Sequence, residues 1–246
     1  MRGRLRSIWR LLDFAFSTFI GIIGFFLAIF LGKPKEIAGL RFRRRWLQRV
    51  PRRLGLHMNL EGEPYSGPCL YVANHISYID PIGILSYVDA KIVAKAEIAD
   101  WPLVGYSASI TGTIFVKREH KDSRSSAAQA VRESLMRNES ILVFPEGTTS
   151  EGPLTLPFRP RTFEAAQAAN IPVQPVALYY EDPSVAYIGE DKFLSHFIAL
   201  SRKKSVLGHI AFGPLLRGEG TCEKAKAWIN QYQSRFIPNS VVHEPA

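Results

Sequence analysis

The sequence predicts an α/β fold: a mixed, mostly parallel sheet flanked by helices, preceded by an N-terminal membrane-anchoring helical segment. Short apolar segments typical of buried strands alternate with segments typical of helices from about residue 69 onward. Polar residues and glycines follow several strand segments, which is where open α/β sheets bind ligands. In the first part of the chain, clustered arginines are instead followed by residues 14–32, which carry no charge. These observations separate a membrane segment from a folded domain.

Length and charge limit the function classes. The chain has 246 residues, of which 46% are hydrophobic, so one large domain or two small ones can be built around a core. The 31 basic and 22 acidic residues give a formal net charge of +9, which favours an anionic partner: nucleic acid, a membrane surface or a phosphorylated substrate. Cys69 and Cys222 lack metal-ligand spacing, which predicts reduced thiols in a cytosol-facing protein and no metal site.

The N-terminal segment is predicted to bind a membrane. Arginines occupy positions 2, 4, 6 and 10, and residues 14–31 would form a helix of roughly 27 Å, near the short limit for a bilayer span. Spanning, re-entrant and interfacial placements therefore all stay open. A cleaved signal peptide is disfavoured, because the apolar run is long and Lys33 and Lys35 follow it without a small-residue cleavage site.

A basic segment follows, with seven arginines between residues 41 and 53. Phe42, Trp46, Leu47 and Val50 recur among these arginines at roughly helical spacing, as in helices that lie on anionic lipid surfaces. The alternative is a nucleic-acid patch, which the adjoining charge-free segment disfavours.

The change of composition near residue 55 predicts two parts. Residues 1–55 are expected to hold the membrane segment and the basic helix, and residues 56–246 the folded domain. Residues 51–67 contain turn-forming glycine and proline and are expected to form the loop that leads into the first strand.

The folded domain is predicted as alternating strands and helices. Six segments have the apolar composition of strands: residues 69–72, 90–94, 112–116, 140–144, 171–180 and 207–212. Four segments are predicted as helices: residues 82–88, 123–137, 162–169 and 221–236. Residues 191–204 carry Phe193, Phe197 and Leu200 near helical spacing and are interpreted as a solvated helix face or a second membrane-facing surface.

The first strand segment ends in a histidine and an aspartate, His75 and Asp80, five residues apart. In a continuous helix these side chains would point apart, so they can meet only across a turn, with Asp80 as the N-cap and Pro81 as the first residue of the next helix. An aspartate so placed would fix the histidine tautomer and leave the other ring nitrogen as a general base. The alternative is a structural N-cap beside an ordinary strand-end histidine.

The sequence offers no protein nucleophile to accompany this base. Residues 105–109 resemble a Gly-x-Ser-x-Gly nucleophile motif but lack its final glycine. The hydroxyl group to be activated is therefore expected to belong to a substrate.

Two later strand ends and one helix start carry groups suited to binding an anion. The groups are Lys117, Arg118, Glu146, Gly147, Thr148, Arg159 and Arg161. Glycine lets the backbone approach a ligand, threonine hydroxyls and free amides suit phosphate oxygens, and arginine binds phosphate through two hydrogen bonds. Taken singly, these positions are also compatible with solvated strand ends and an ordinary Gly-Thr turn.

Four short sequence motifs follow one another along the folded domain. They are Asn74-His75 with Asp80, Phe-Val-Lys-Arg at 115–118, Phe-Pro-Glu-Gly-Thr at 144–148 and Ile-Pro-Val-Gln-Pro-Val at 171–176. Together they resemble the four sequence blocks of the glycerolipid acyltransferase family, which includes the 1-acylglycerol-3-phosphate acyltransferases. The resemblance implies a glycerol-phosphate-acyltransferase-like α/β fold for residues 56–246, acyl-CoA or acyl carrier protein as the acyl donor, and no cofactor.

The resemblance also implies an acceptor and roles for individual residues. The acceptor would be a lysophospholipid, foremost 1-acyl-sn-glycerol-3-phosphate, giving phosphatidic acid, with His75 as the catalytic base and Asp80 as its partner. The substrate-binding residues implied are Asn74, Lys117, Arg118, Glu146, Gly147, Thr148 and Arg159. Backbone amides near His75 and the side chain of Asn74 are the candidates for stabilising the oxyanion.

One departure from the family pattern concerns the acceptor. The family's third block commonly continues Glu-Gly-Thr-Arg, whereas Thr149 and Ser150 stand here in place of the arginine. The pattern of residues 95–102, and of 146–150 followed by 156–159, is similar to bacterial lyso-ornithine-lipid acyltransferases. Lyso-ornithine lipid or another lysolipid therefore stays open as the acceptor.

Two other function classes are disfavoured. A lipid-binding protein without chemistry would not need the ordered set of His75, Asp80, Arg118 and Glu146. A nucleic-acid-binding protein would interleave aromatic residues with exposed cations, whereas here they fall mostly in strand segments. We therefore expect a membrane enzyme with its catalytic domain on the cytoplasmic face, in the bacterial inner membrane, with membrane lipids, the acyl donor and the lysophospholipid as partners and no nucleic acid.

Overall fold

A sheet of seven strands forms the centre of the described structure. The computed structural model describes residues 2–100, 104–110, 112–116, 121–152, 154–189 and 191–237. The strands are β1 (Leu56–Glu61), β2 (Leu70–Ala73), β3 (Lys91–Lys95), β4 (Ile114–Val116), β5 (Ile141–Val143), β6 (Val173–Tyr180) and β7 (Val206–Phe212). The helices are α1 (Arg2–Phe30), α2 (Lys35–Leu54), α3 (Asp80–Leu85), α4 (Val104–Ile110), α5 (Lys121–Met136), α6 (Arg161–Ala168), α7 (Phe193–Arg202) and α8 (Thr221–Ser234).

The strand order β1-β7-β6-β2-β5-β3-β4 explains why the strand ends predicted to bind ligand lie together. The strands β6, β2, β5, β3 and β4 run parallel to one another, and only the β6–β7 pair among the paired strands is antiparallel. The prediction of a mixed, mostly parallel sheet is therefore confirmed. The carboxyl ends of the five parallel strands form one edge of the sheet, and the strand-end residues meet there.

Both faces of the central strands are buried, as expected for a parallel sheet covered by helices. Leu70 and Val72 of β2 pack with Leu135 of α5 on one face, whereas Tyr71 and Ala73 pack on the other face. All four residues of β2 are buried. This packing fixes β2, and with it the position at which the chain leaves the sheet before His75.

The structure corrects two sequence-based expectations. Residues 51–67 were expected to form a loop, but Leu56–Glu61 form β1, which pairs in parallel with β7. β1 has the apolar–polar alternation of a strand, with Leu56, Met58 and Leu60 as its apolar residues, and the loop prediction followed the nearby turn-forming glycine and proline instead. Asp80 was expected to be the N-cap of α3, but Ile79 holds that position and makes no side-chain cap bond, while Asp80 is the first helical residue.

Helices α1 and α2 form an antiparallel pair. Phe25 of α1 packs with Ala38 and Phe42 of α2, and Gly21 allows the close approach, because a Cβ there would lie 2.2 Å from the Phe42 ring. Within the described residues, Gly3–Phe30 is the one helix that is long and apolar enough to cross a membrane. The boundary predicted at residue 55 falls between α2 and β1, and the division into two domains stays a prediction.

The exposed face of α1 is apolar along its whole length. Large side chains recur on it at spacings of three and four residues, and they include Leu5, Ile8, Leu12, Phe16, Phe19, Ile23, Phe26 and Phe30. The opposite face packs on α2 and on α7, where Phe14 meets the Phe197 ring edge to face at 5.8 Å. One face of α1 therefore packs on protein, whereas the other is largely exposed and makes one ring contact, between Phe26 and Tyr106 of α4, with ring centroids 6.1 Å apart.

Candidate active site

His75 and Asp80 meet across the turn that follows β2. Nδ1 of His75 lies 2.8 Å from Oδ2 of Asp80, and the Asp80 side chain is fully buried while that of His75 is 14% exposed. The His75 ring stacks on Phe144, at the end of β5, with ring centroids 4.0 Å apart. Nε2 of His75 has no hydrogen-bond partner within the described residues and is therefore the nitrogen left for a substrate.

The Asp80 carboxylate accepts three further hydrogen bonds. Oδ2 accepts from the backbone amides of Ile76 at 2.7 Å and Ser77 at 2.8 Å, and Oδ1 accepts from the hydroxyl of Tyr180 at 2.8 Å. A buried carboxylate without such donors would be costly, so these contacts stabilise the charged form. Sequence reasoning missed Tyr180. Its signal was a tyrosine within a buried strand, because a buried phenol usually needs a hydrogen-bond partner.

Glu146 is buried beneath the His75 turn rather than exposed to a ligand. Its Oε1 accepts from the backbone amide of His75 at 2.8 Å, and its Oε2 accepts from the backbone amide of Leu156 at 2.9 Å and weakly from Ser150 Oγ at 3.4 Å. Burial raises the pKa of Glu146, and the amides of Leu156 and His75 oppose that increase. The geometry gives Glu146 a positioning role for His75, whereas the sequence predicted substrate binding.

Asn74, also predicted to bind substrate, is buried and bonded to β6. Its amide nitrogen donates to the carbonyl of Leu178 at 3.0 Å, and its carbonyl oxygen accepts from the Leu178 amide at 2.7 Å. The last backbone pair between the two strands is Ala73 with Val176, so the Asn74 side chain continues the ladder beyond the end of β2. Both polar atoms of the Asn74 side chain are therefore hydrogen-bonded to the backbone of Leu178.

The expected oxyanion donors near His75 are likewise occupied. The amides of His75, Ile76 and Ser77 all donate to carboxylates, and both ends of the Asn74 amide are bonded to Leu178. The turn after β5 differs, because the backbone amides of Thr148 and Thr149 have no partner within the described residues. Free amides near His75 therefore include those of Thr148 and Thr149, in the turn that follows β5.

Gly147 brings an arginine against the turn that follows β5. Gly147 has φ +76°, and a Cβ at that position would lie 2.5 Å from Cζ of Arg159. Arg159 is fixed at its backbone by a 3.0 Å bond from its amide to the carbonyl of Pro145. Arg159 and Thr148 are both exposed residues. Glycine is needed here both for the left-handed backbone and for the space.

Thr149 and Ser150, which replace the family's arginine, hold this turn in place. Thr149 Oγ1 donates to the carbonyl of Tyr187, and the amide of Ser150 donates to the carbonyl of His75 at 2.9 Å. The structure therefore brings seven of the nine predicted site residues to one edge of the sheet. The other two, Lys117 and Arg118, lie outside the described residues.

Aromatic residues connect the His75 turn to α1, a feature that sequence reasoning missed. The Tyr78 ring contacts the Phe193 and Phe197 rings of α7 with centroids 5.0 and 6.2 Å apart, and Phe197 in turn contacts Phe14 of α1. The Tyr78 hydroxyl also lies 3.0 Å from Nδ1 of His196. Because α7 contacts both the turn and α1, the site lies close to the apolar N-terminal helix.

The described structure also contains a cleft that is separate from the His75 turn. This cleft, of about 380 Å³, lies between α2 and the segments that precede β2, β3 and β5, so it is at the opposite edge of the sheet from His75. None of the residues lining it belongs to the His75 turn. Among the described residues, no group of three or more His, Cys, Asp or Glu could hold a metal ion.

Several known proteins are similar in sequence to this chain. The profile of the acyltransferase family matches residues 48–179. The lyso-ornithine lipid O-acyltransferase of Pseudomonas aeruginosa is 37% identical over 175 residues, covering 69% of this chain and 67% of that protein. The enzyme of the same name from Brucella abortus is 28% identical over 237 residues, covering 85% of this chain and 89% of that protein. The 1-acyl-sn-glycerol-3-phosphate acyltransferase of Neisseria gonorrhoeae is 30% identical over 157 residues, covering 61% and 62%.

A solved structure shares the fold. The crystal structure of the 1-acyl-sn-glycerophosphate (LPA) acyltransferase PlsC from Thermotoga maritima matches with a TM-score of 0.70 and 21% identity over 100% of both chains. The resemblance inferred from the four blocks is confirmed. The matched residues include β2, β5 and most of β6 with the turns that follow the first two, so the chain belongs to the acyltransferase family.

Proposed function

We propose that this protein transfers an acyl group from acyl-CoA or acyl carrier protein to the free hydroxyl of a lysolipid, with His75 as the general base. One observation carries the proposal: Asp80 binds Nδ1 of His75, which leaves Nε2 unpartnered within the described residues at the ligand-binding edge of the sheet. A neutral imidazole held in this way is suited to accept a proton from a hydroxyl.

The reaction needs no covalent enzyme intermediate. Nε2 of His75 takes the proton of the acceptor hydroxyl as its oxygen attacks the thioester carbonyl, and Asp80 stabilises the resulting imidazolium. The C–O bond forms, the C–S bond breaks, and the proton passes from His75 to the departing thiolate. The free amides of Thr148 and Thr149 are the donors we assign to the oxyanion, since those of residues 75–77 are occupied.

Lyso-ornithine lipid is the acceptor that the observations favour. Thr149 and Ser150 replace the arginine typical of the lysophosphatidate pattern, and both are used to hold the turn. The Pseudomonas and Brucella relatives carry the lyso-ornithine lipid name. The second candidate is 1-acyl-sn-glycerol-3-phosphate, favoured by the Neisseria relative and by the exposed residue Arg159, whose guanidinium suits a phosphate.

We also propose that α1 lies in the membrane interface rather than across the bilayer, on the cytoplasmic face. The Arg10 guanidinium of α1 donates to the carbonyls of Lys203 at 2.7 Å and Lys204 at 2.9 Å, just beyond α7, so the first turns of α1 are bound to the catalytic part. The second half of α1 packs on α2, which runs back alongside it.

The charge of α2 opposes a spanning arrangement. Its exposed arginines are Arg44, Arg45, Arg49, Arg52 and Arg53. If α1 crossed the bilayer, the paired α2 would carry several of these charges into hydrocarbon, at about 2.5–3.5 kcal/mol each by insertion scales. In the interface, the apolar face of α1 enters the lipid while the arginines contact anionic headgroups.

The test is acyl transfer by the purified protein with one labelled thioester donor and a panel of lysolipids. We expect turnover with lyso-ornithine lipid to exceed that with 1-acyl-sn-glycerol-3-phosphate, and His75→Ala to lose about 10²–10⁴-fold. The variant should keep the wild-type melting temperature and membrane association. More than a tenth of wild-type turnover in His75→Ala would contradict the role of His75, and a reversed acceptor preference would contradict the choice of acceptor alone.

A further inference from the structure

Strand β6 holds both ends of the turn that carries His75. At the start of the turn, the Asn74 side chain is bonded to the backbone of Leu178 at 2.7 and 3.0 Å. At its end, the Tyr180 hydroxyl donates to Oδ1 of Asp80 at 2.8 Å. Because Leu178 and Tyr180 are two residues apart on one strand, the turn is fixed against a rigid, central element of the sheet.

Tyr180 differs from the other donors to Asp80. The amides of Ile76 and Ser77 and the ring of His75 all bind Oδ2, whereas Tyr180 binds Oδ1. It is therefore the one donor among the described residues that fixes the second oxygen and, with it, the plane of the carboxylate. Burial, together with the neighbouring charge of Asp80, raises the pKa of Tyr180. The phenol consequently stays protonated and remains a donor.

We propose that Tyr180 is a positioning residue for acyl transfer, acting through Asp80 to orient His75 and to moderate the attraction between the carboxylate and the imidazolium. This inference depends on the general-base role proposed above for His75. Without the phenol, Oδ1 of Asp80 would be a buried oxygen with no donor, and its negative charge would act more strongly on the His75 proton.

The charged and titratable groups around His75 define what a pH measurement would report. Asp80 faces the ring from α3, and Glu146 binds the His75 amide from the end of β5. Arg159 lies beyond Gly147 on the same turn, and Tyr180 reaches the pair from β6 through Asp80. The substitution Tyr180→Phe removes only the phenolic hydroxyl and leaves Asp80, Glu146 and Arg159 unchanged.

The test compares Tyr180→Phe with Tyr179→Phe in the full chain. Tyr179 is the neighbour on the opposite face of β6, where its ring stacks on Phe236 at 4.3 Å. For Tyr180→Phe we expect kcat to fall by about 10–100-fold, by analogy with the groups that hydrogen-bond to metal-bound histidines. The KM for the lysolipid should stay near the wild-type value. The acid limb of the kcat/KM profile should move to higher pH, because the base would hold its proton more tightly.

Tyr179→Phe should match the wild type in kcat and in the position of the acid limb. A wild-type kcat and pH profile in Tyr180→Phe would overturn the inference. A lower kcat with an unmoved acid limb and a lower melting temperature would overturn it equally, since that is the result of a purely structural role. In the Asp80→Asn background, Tyr180→Phe should cause no further loss of kcat, because the two residues act through one contact.

His75→Ala, measured in the same assay, distinguishes a failure of the general-base proposal from a failure of the role proposed for Tyr180. If His75→Ala is inactive while Tyr180→Phe resembles the wild type, only the role of Tyr180 fails. If His75→Ala keeps more than a tenth of wild-type turnover, the general-base proposal fails, and the role of Tyr180 fails with it.

Discussion

The carboxylate of Glu146 accepts a hydrogen bond from the backbone amide of His75 at 2.8 Å, so the end of β5 holds the residue that follows the end of β2. The same turn also binds the carbonyl of His75, which accepts a hydrogen bond from the amide of Ser150 at 2.9 Å. The backbone of His75 is thus bound on both sides before any substrate arrives. Such preorganisation is what a general base needs in order to act at a fixed distance from a hydroxyl.

We expect Glu146→Gln to lower both stability and kcat. The Gln amide group would face the backbone amide of His75 or Leu156 as a second donor, which would cost about 1–3 kcal/mol of unfolding free energy at pH 7. The KM values of both substrates should change little, because Glu146 is buried. Denaturant unfolding and steady-state kinetics of the purified variant check this. A selective increase in acceptor KM would instead support the predicted substrate contact.

The difference in unfolding free energy between the wild type and Glu146→Gln should depend on pH. Burial raises the pKa of Glu146 above its ordinary value of 4.5, so the folded state binds its proton more readily than the unfolded state. The unfolding free energy of the wild type should therefore rise relative to that of Glu146→Gln as pH falls through the raised pKa toward 4.5. A difference that shrinks over this range would contradict the assignment.

We expect Asn74→Ala to act on stability rather than on substrate binding. The substitution would leave the amide of Leu178 unpaired in the core, at about 1–3 kcal/mol, and would leave its carbonyl only the long 3.4 Å bond from Nε2 of Gln233. Thermal melting measures this loss, at about 2–4 °C for each kcal/mol in a domain of this size. An unchanged melting temperature with a more than tenfold rise in acceptor KM would show that the substrate-binding role predicted from the sequence is right.

We expect Arg159→Ala to raise the KM of an anionic acceptor by about tenfold or more, since a hydrogen bond to a charged group contributes about 1.5–3 kcal/mol. The donor KM should change much less. Arg161→Ala is the matched control, because Arg161 is also exposed and begins α6. Equal effects on donor and acceptor, or equal effects of the two substitutions on acceptor KM, would argue against a specific contact.

We expect two acidic residues on the exposed face of α1, Phe19→Glu with Ile23→Glu, to release the protein from vesicles in 1 M salt. The wild type should resist this wash, because ions screen charge attraction, with a Debye length of about 3 Å at 1 M, but do not screen apolar burial. Gln167→Glu with Gln231→Glu adds the same charge at exposed sites elsewhere and should leave retention unchanged. If the α1 variant stays on the vesicles in 1 M salt, another surface of the protein makes the membrane contact.

Point substitutions suit this question better than truncation. A chain that began near residue 40 would divide α2, which extends over Lys35–Leu54, and would remove the helix that packs on α2 and α7. Loss of membrane binding in such a truncation could then reflect unfolding of α2. The double substitution changes only side chains that are about half exposed.

The sequence by itself determined the features that depend on local pattern. Most strand and helix segments followed from apolar periodicity, and the spacing of His75 and Asp80, with Pro81, showed that the two side chains could meet only across a turn. The parallel sheet then gathered the strand-end residues at one edge, as open α/β sheets do. The Gly147 turn was also predictable, because its left-handed backbone favours glycine.

The tertiary structure decided which contacts each of these residues makes. Glu146 and His75 are 71 positions apart, and Tyr180 and Asp80 are 100 positions apart, so their hydrogen bonds depend on the strand order β6-β2-β5. Side-chain chemistry favoured a ligand role for Asn74 and Glu146 equally well, and only their burial against β6 and the His75 turn assigned them to the backbone. The physical reason is that periodicity encodes local conformation, whereas a buried polar group is satisfied by whatever donor the folded sheet brings within about 3 Å.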